Sequence, residues 1–221
     1  MVFIMTFIIG VVSQKGGVGK STLSRLIARE YAAANWNVKI ADLDISQGTS
    51  FNWQSRRLAR GILPEIAVER FGTVDQALKV AGHYNLLIID APPHSTSGTL
   101  RVAKASNLLI LPTGLALDDL EPTVLLAHEL VKSGVPKDRL VFVFTRVGDS
   151  EAELLEARNY LAKAGYAALQ HGLPEKVAYR RANDEGKALT ETRFASLNGQ
   201  ADRLAQEIVD ALQQVSEPEA A

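Results

Sequence analysis

Apolar positions along the chain fall into two alternating patterns. Short strand-like runs, most of them apolar on both faces, occur at 7–12, 38–41, 86–89, 108–111 and 140–144. A strand with one wet face alternates polar and apolar residues, whereas a strand buried on both faces does not. Between the runs, apolar residues recur with a helical period at 20–34, 50–60, 73–81, 97–105, 117–133, 150–164 and 198–214. A further short strand is expected near Ala167-Ala168-Leu169. Strand alternating with helix predicts an α/β fold, a mostly parallel, doubly wound sheet with helices on both faces. Right-handed crossovers then bring every loop that follows a strand to one edge of the sheet. The loops at 13–21, 42–48, 90–93 and 145–146 are therefore expected to meet.

A chain of 221 residues, at ~100–200 residues per domain, predicts one domain over 1–215. The acidic stretch 216–221 is expected to be a frayed tail. The first twelve residues are apolar apart from Thr6 and Gly10. They lack a basic flank and a small-residue cleavage site, and fall short of the ~20 residues that span a bilayer. A cytoplasmic chain without a membrane anchor is expected. The absence of cysteine removes disulfides, thiolate nucleophiles, Cys-ligated zinc and Cys-held iron–sulfur clusters. Lys and Arg number 24 against 25 Asp and Glu, a net charge of −1. Bulk charge thus offers nucleic acid nothing, although a local basic patch still can.

Ser13-Gln14-Lys15-Gly16-Gly17-Val18-Gly19-Lys20-Ser21 follows the first strand and opens a helix. The phosphate-loop pattern G-x-x-x-x-G-K-[ST] fits on Gly19-Lys20-Ser21, with Gln14 where its first glycine falls. Gly16, Gly17, Val18 and Gly19 would turn backbone N–H groups toward phosphate oxygens, with the helix dipole behind them. Lys20 would contact the β- and γ-phosphates, Ser21 would ligate Mg²⁺, and Thr22 completes the cofactor-binding run.

Asp42-Leu43-Asp44 closes the second strand, and Leu86-Leu87-Ile88-Ile89-Asp90-Ala91-Pro92-Pro93 is an apolar strand ending in a carboxylate. Carboxylates so placed can hold the Mg²⁺ shell or orient an attacking water. Capping of a helix or turn is the ordinary alternative for each.

Lys15-Gly-Gly-Val-Gly-Lys20-Ser21 resembles the deviant Walker A motif of the ParA/MinD ATPases, within the SIMIBI class of P-loop proteins. The resemblance extends to Asp42-x-Asp44, to Asp90-Ala-Pro-Pro and to Tyr179-Arg180-Arg181-Ala182-x-x-x-Gly186-x-x-x-x-Glu191, and covers about 7–212. It is closest to small ParA-type partition ATPases without an N-terminal helix-turn-helix. One departure stands in the second motif. The family continues Pro-Gln-Gly-Ser, whereas Ile45-Ser46-Gln47-Gly48 lacks the proline and has one extra residue before Gln47.

The resemblance implies an ATP hydrolase with Mg²⁺ as cofactor. In the family the first lysine, here Lys15, reaches the partner's nucleotide across a homodimer. It implies that Asp44 positions the hydrolytic water, that Asp42 supports the metal shell and that Asp90 holds Mg²⁺. It places Thr145, Arg146 and Pro174 beside the adenine. It implies dimer and DNA contacts near Arg180, Arg181 and Lys187. ATP would drive dimerisation, the dimer would bind DNA without sequence preference and associate with the nucleoid, and a ParB-like or other adaptor would stimulate a weak basal turnover. Plasmid or chromosome partition, or positioning of related cargo, would follow.

Three alternatives stay open. A MinD-like membrane regulator needs a basic amphipathic C-terminal helix, yet 200–212 holds one Arg against three acidic residues. A P-loop metabolic enzyme needs a small-molecule pocket. A scaffold that binds ATP without turnover would not need Asp44. The four histidines are scattered, and Trp36 and Trp53 read as packing residues.

Overall fold

The computed structural model describes residues 6–93 and 96–216. His94 and the tail expected at 216–221, apart from Ser216, lie outside these residues. The elements in chain order are β1 (Phe7–Val11), α1 (Lys20–Ala33), β2 (Val38–Asp42), α2 (Thr49–Ala59), β3 (Ala67–Arg70), α3 (Val74–Lys79), β4 (Leu86–Asp90), α4 (Thr96–Ala105), β5 (Leu108–Thr113), α5 (Leu117–Lys132), β6 (Leu140–Val147), α6 (Glu151–Lys163), β7 (Leu173–Pro174), α7 (Val177–Asp184) and α8 (Ala195–Ser216). The strands form one seven-stranded sheet in the order β3-β2-β4-β1-β5-β6-β7. Every pairing is parallel.

β2, β4 and β5 are buried along their whole length, as the runs without alternation predict. Each fully buried Ile or Leu contributes about 1.5–3 kcal/mol, so such a strand leaves the sheet only at large cost. Two apolar cores cover the faces. One gathers α1 through Leu23, Leu26 and Ile27 with Trp53 and α8 through Leu204 and Ile208. The other gathers α4 and α5 through Val102, Leu120 and Leu126 with Leu161 of α6. Local chemistry sets the helix starts. Thr73 and Gln76 form a capping box on α3, and the Ser150 hydroxyl accepts from the Glu153 N–H to start α6.

Three details differ from the expectation. Residues 167–169 form only a single bridge, Ala168 to Phe142, and the last strand is Leu173–Pro174 instead. Thr145 and Arg146 lie inside β6, not in a loop beyond it. The pairing with β7 shifts register between Thr145 and Val147, and Arg146 takes φ 56°. A bulge of this kind re-aims a side chain at the rim of a sheet. Finally, β3 and α7 have no counterpart in the apolar pattern. β3 is a four-residue edge strand with a mostly exposed sequence, and α7 buries only Tyr179 and Ala182.

Candidate functional site

β1 lies at the centre of the sheet, where the chain crosses to β4 on one side and β5 on the other. Open α/β sheets bind ligands beyond such a point, at the carboxyl ends of the strands. Register puts Asp42 directly beside Asp90, and Asp90 beside Val11, at that edge. The loop from Ser13 to Gly19 follows Val11 and delivers its last glycine as the N-cap of α1. Gly17 and Gly19 sit at φ +74° and +89°, a left-handed conformation that glycine adopts without steric cost. Two carbonyls of this loop are held from β6. The Thr145 hydroxyl donates to the Val18 carbonyl at 3.0 Å, and Arg146 Nη2 donates to the Gly17 carbonyl at 2.5 Å. Lys20 Nζ donates to the Lys15 carbonyl at 3.1 Å, folding its side chain back over the loop. Burial lowers the Lys20 pKa, and the nearby Asp90 and Asp44 carboxylates work against that shift.

The carboxylates divide into two kinds. Asp42 is fully engaged with backbone. Its Oδ1 accepts from Asp44 N–H at 3.1 Å, and its Oδ2 accepts from the Ser50 and Phe51 N–H groups at 3.0 and 3.1 Å. The N-cap of α2 is Gly48, which has no side chain to offer, so Asp42 caps α2 from the neighbouring strand. Three of the acceptor positions of Asp42 are thus taken up by the backbone that starts α2. Asp90 differs. Its Oδ2 accepts from the Ser50 hydroxyl at 2.7 Å, and Ser21 also hydrogen-bonds to it. Among the described residues its buried Oδ1 has no hydrogen-bond partner. Burial pushes the Asp90 pKa up to about 6, against the pull of the Ser50 and Ser21 hydroxyls, while Asp42 adds to the rise and Arg25 opposes it. An orphaned carboxylate oxygen next to a serine hydroxyl suits a hard divalent cation. Asp90 and Ser21 therefore fit a Mg²⁺ site.

A stability prediction follows from the same geometry. The ordinary carboxyl pKa of 3.8 rises to about 6 at Asp90, so the folded chain binds a proton that the unfolded chain releases. The nucleotide-free, Mg²⁺-free protein is expected to lose stability as pH rises between those values. Asp90→Asn should remove that loss and raise the melting temperature at pH 8. Chemical denaturation across this pH range checks it; identical profiles for the two proteins would refute it.

Asp44 lies in the loop ahead of α2. Its Oδ1 accepts from the Ser46 hydroxyl at 2.6 Å and from Gln47 N–H at 3.1 Å. Lys15 is held on the same chain, with Nζ 2.8 Å from Asp119 Oδ1 in the first turn of α5. Gly114 makes room for that contact, since a Cβ there would meet Asp119 Oδ2 at 2.2 Å.

Thr145, Arg146 and Pro174 come together as expected, with Gly17, Gly19 and Thr22, around a cavity of about 240 Å³. The three late basic residues do not share a face. Arg180 lines this same cavity and pairs with Glu175 at 3.0 Å, whereas Arg181 and Lys187 line a different cavity on the far side of α7. Trp53 is fully buried, and its Nε1 donates to the Lys187 carbonyl at 3.0 Å, which makes it a packing residue.

Four contributors were not found by motif reading: Ser50, Arg25, Asn183 and Asp119. Arg25 is buried on α1, with Nε 3.4 Å from Ser50 Oγ and Nη1 3.3 Å from Asn183 Oδ1. It links the Asp90 side of the site to α7. Burial lowers its pKa to about 10. None of these four belongs to a local spacing pattern, so no signal in the sequence alone marks them.

Comparison with known proteins agrees with this geometry. Residues 9–189 match the profile described as "CobQ/CobB/MinD/ParA nucleotide binding domain". The chain is 30% identical over 188 residues to the Maintenance of carboxysome distribution protein A of Gloeobacter kilaueensis, covering 84% of this chain and 85% of that protein. In fold it is similar to the septum site-determining protein MinD complexed with Mg-ADP from Pyrococcus horikoshii OT3, with TM-score 0.71 and 18% identity over 97% of this chain and 100% of the other. It is also similar to an ATP complex of Cyanothece McdA, with TM-score 0.70 and 14% identity over 93% of this chain and 97% of the other. The central phosphate loop, the paired strand-end aspartates and the match over most of the chain together show that this protein belongs to the CobQ/CobB/MinD/ParA nucleotide binding domain family.

Proposed function

We propose that this chain is a Mg²⁺-dependent ATPase that acts as a dimerisation switch for positioning cargo. The observation that carries the reading is a second lysine, Lys15, at the mouth of a phosphate cradle, held by a half-exposed ion pair that can be exchanged. The N–H groups of the 16–22 run and Lys20 bind the triphosphate. Ser21 and Asp90 hold Mg²⁺, which when bound neutralises charge on the phosphate oxygens. Asp42 fixes the start of α2, so that the loop carrying Asp44 is delivered at a constant place. Asp44 orients the attacking water through the carboxylate oxygen that makes no hydrogen bond among the described residues. Lys15 of one copy reaches the nucleotide of the other, as an arginine finger does. ATP then favours the dimer, a shift of population between two states. Thr145, Arg146 and Pro174 flank the base.

The relative's name concerns carboxysome distribution, which supports cargo distribution of that general kind over plasmid partition. Anchoring of the ATP dimer on the nucleoid through sequence-independent DNA binding, and release by an adaptor protein, complete the proposal. Membrane anchoring has less support. An interfacial anchor needs a basic amphipathic helix, and 200–212 of α8 carries one Arg against three acidic residues.

The test is a DNA shift assay with ATP, with ADP and without nucleotide, at low and moderate salt. DNA binding that requires ATP and weakens with salt is expected; binding indifferent to nucleotide would end the switch reading. Asp44→Ala should lower hydrolysis on the order of 10²–10³-fold while the ATP dimer persists. Hydrolysis at the wild-type rate would remove Asp44 from the reaction.

A further inference from the structure

Helix α7 is a wall shared by two cavities. Tyr179, Arg180 and Asn183 face the cavity beside the phosphate loop. Val177, Ala178, Arg181 and Glu185 face a second cavity of about 530 Å³, closed on its far side by the segment from Glu191 to Leu197. This second cavity is the larger of the two, and the proposed reaction makes no use of it.

Its chemistry is lopsided. Lys176, Arg181, Lys187 and Arg193 line it against Glu185 and Glu191. Glu191 is already committed to the buried guanidinium of Arg57, at 2.7 and 2.9 Å, and Glu185 to Lys187 at 2.7 Å. Arg181 and Arg193 make no ion pair among the described residues. Arg193 instead stacks its guanidinium over the Phe194 ring at 4.8 Å. Two large apolar side chains sit at the same place with much of their surface in water, Val177 at 52% and Phe194 at 41%. A concave site with an apolar lip and guanidinium groups outside any ion pair is complementary to a ligand that is both apolar and anionic.

We infer that this cavity docks a short acidic segment of a partner protein. An apolar side chain of the segment enters between Val177 and Phe194, and flanking carboxylates meet Arg181 and Arg193. Duplex DNA suits the site less well. It has no apolar side chain to fill the hollow, and its continuous phosphate charge would run against the Glu185 and Glu191 carboxylates in the lining. Spaced carboxylates on a peptide can step around them. α7 also walls the nucleotide-side cavity. Identifying the adaptor as the source of the segment rests on the proposed switch; the docking itself does not.

The test uses the full chain and a fluorescein-labelled short peptide of Glu, Leu and Phe, with a counterpart carrying Lys in place of Glu. Anisotropy should report binding of the acidic peptide and none of the basic one. The double variant Arg181→Glu/Arg193→Glu should weaken binding by roughly tenfold or more, and Phe194→Ala should weaken it independently. Both variants should bind a fluorescent ATP analogue as the wild type does. No binding of the acidic peptide, or equal binding by the charge-reversed variant, would overturn the proposal. So would displacement of the peptide by duplex DNA or by anionic vesicles at lower concentration than unlabelled peptide. Failure of the wild type to bind the ATP analogue would count against the nucleotide switch alone, since anisotropy reads the docking directly.

Discussion

Lys15→Ala is expected to lower ATP turnover by roughly 10³-fold or more and to leave the chain monomeric in ATP. The argument starts from what holds Lys15 now. Its ammonium lies 2.8 Å from Asp119 in a pair whose side chains are 38% and 22% exposed. Pairs with this much solvent contribute about 0.2–1 kcal/mol, far less than a cation gains against the growing charge of a transferring phosphoryl group. The cis contact therefore yields to the trans one once a second nucleotide is presented. Asp119→Ala should act in the opposite direction to Lys15→Ala, raising the dimer fraction at limiting ATP by up to about fivefold. Light scattering with ATP and single-turnover hydrolysis measure the two effects. A dimeric, active Lys15→Ala would remove the trans role, and a loss of dimer in Asp119→Ala would mean that Asp119 serves the dimer instead of the monomer.

The second large effect is on stability. Arg57 of α2 is fully buried and forms a two-pronged pair with Glu191, while also donating to the Pro64 and Gly186 carbonyls. Glu191→Gln leaves that guanidinium without its counter-charge, and breaking a buried pair from one side costs about 3–5 kcal/mol. At about 2–4 °C per kcal/mol for a chain of this size, the melting temperature should fall by roughly 10 °C. Arg57→Met combined with Glu191→Leu should recover much of the loss, because neither charge is then stranded. Thermal unfolding by circular dichroism checks both. A shift within error for Glu191→Gln would show that the buried guanidinium is satisfied by carbonyl groups alone. The neighbouring Gly186 explains why the segment lies so close: at φ +80°, an added Cβ would meet Arg57 N at 2.5 Å.

The parts legible in sequence were those built from neighbours along the chain. β1, β2, β4, β5 and β6 announce themselves because burial on both faces keeps them largely apolar, Lys39 of β2 excepted, and the phosphate loop because its glycines, Lys20 and Ser21 are contiguous. Lys15 and Lys20 are likewise a local spacing. The rest depends on residues far apart in sequence. Asp119 meets Lys15 across 104 positions, and Arg25 meets Asn183 across 158. No pattern in a single chain marks such a pair. Asp42 shows a different limit. The same strand-end carboxylate suits a metal shell or a helix cap, and the sequence does not show the three N–H groups that reach it. The placement of Arg180 apart from Arg181 follows from helix geometry at a boundary that the polar sequence of α7 does not reveal.

The cap on α2 also bears on how this loop tolerates changes of length. One carboxylate, at Asp42, accepts from Asp44 near the start of the loop and from Ser50 and Phe51 in the first turn of α2. The segment between is thus a closed ring fastened at a single point. Lengthening such a ring by one residue adds only a few tenths of a kcal/mol of closure entropy. An added residue inside the ring can therefore be taken up without moving the ends that Asp42 fixes. Insertions elsewhere between β2 and α2 should be accepted in the same way, as long as position 42 keeps an acceptor that reaches all three amides.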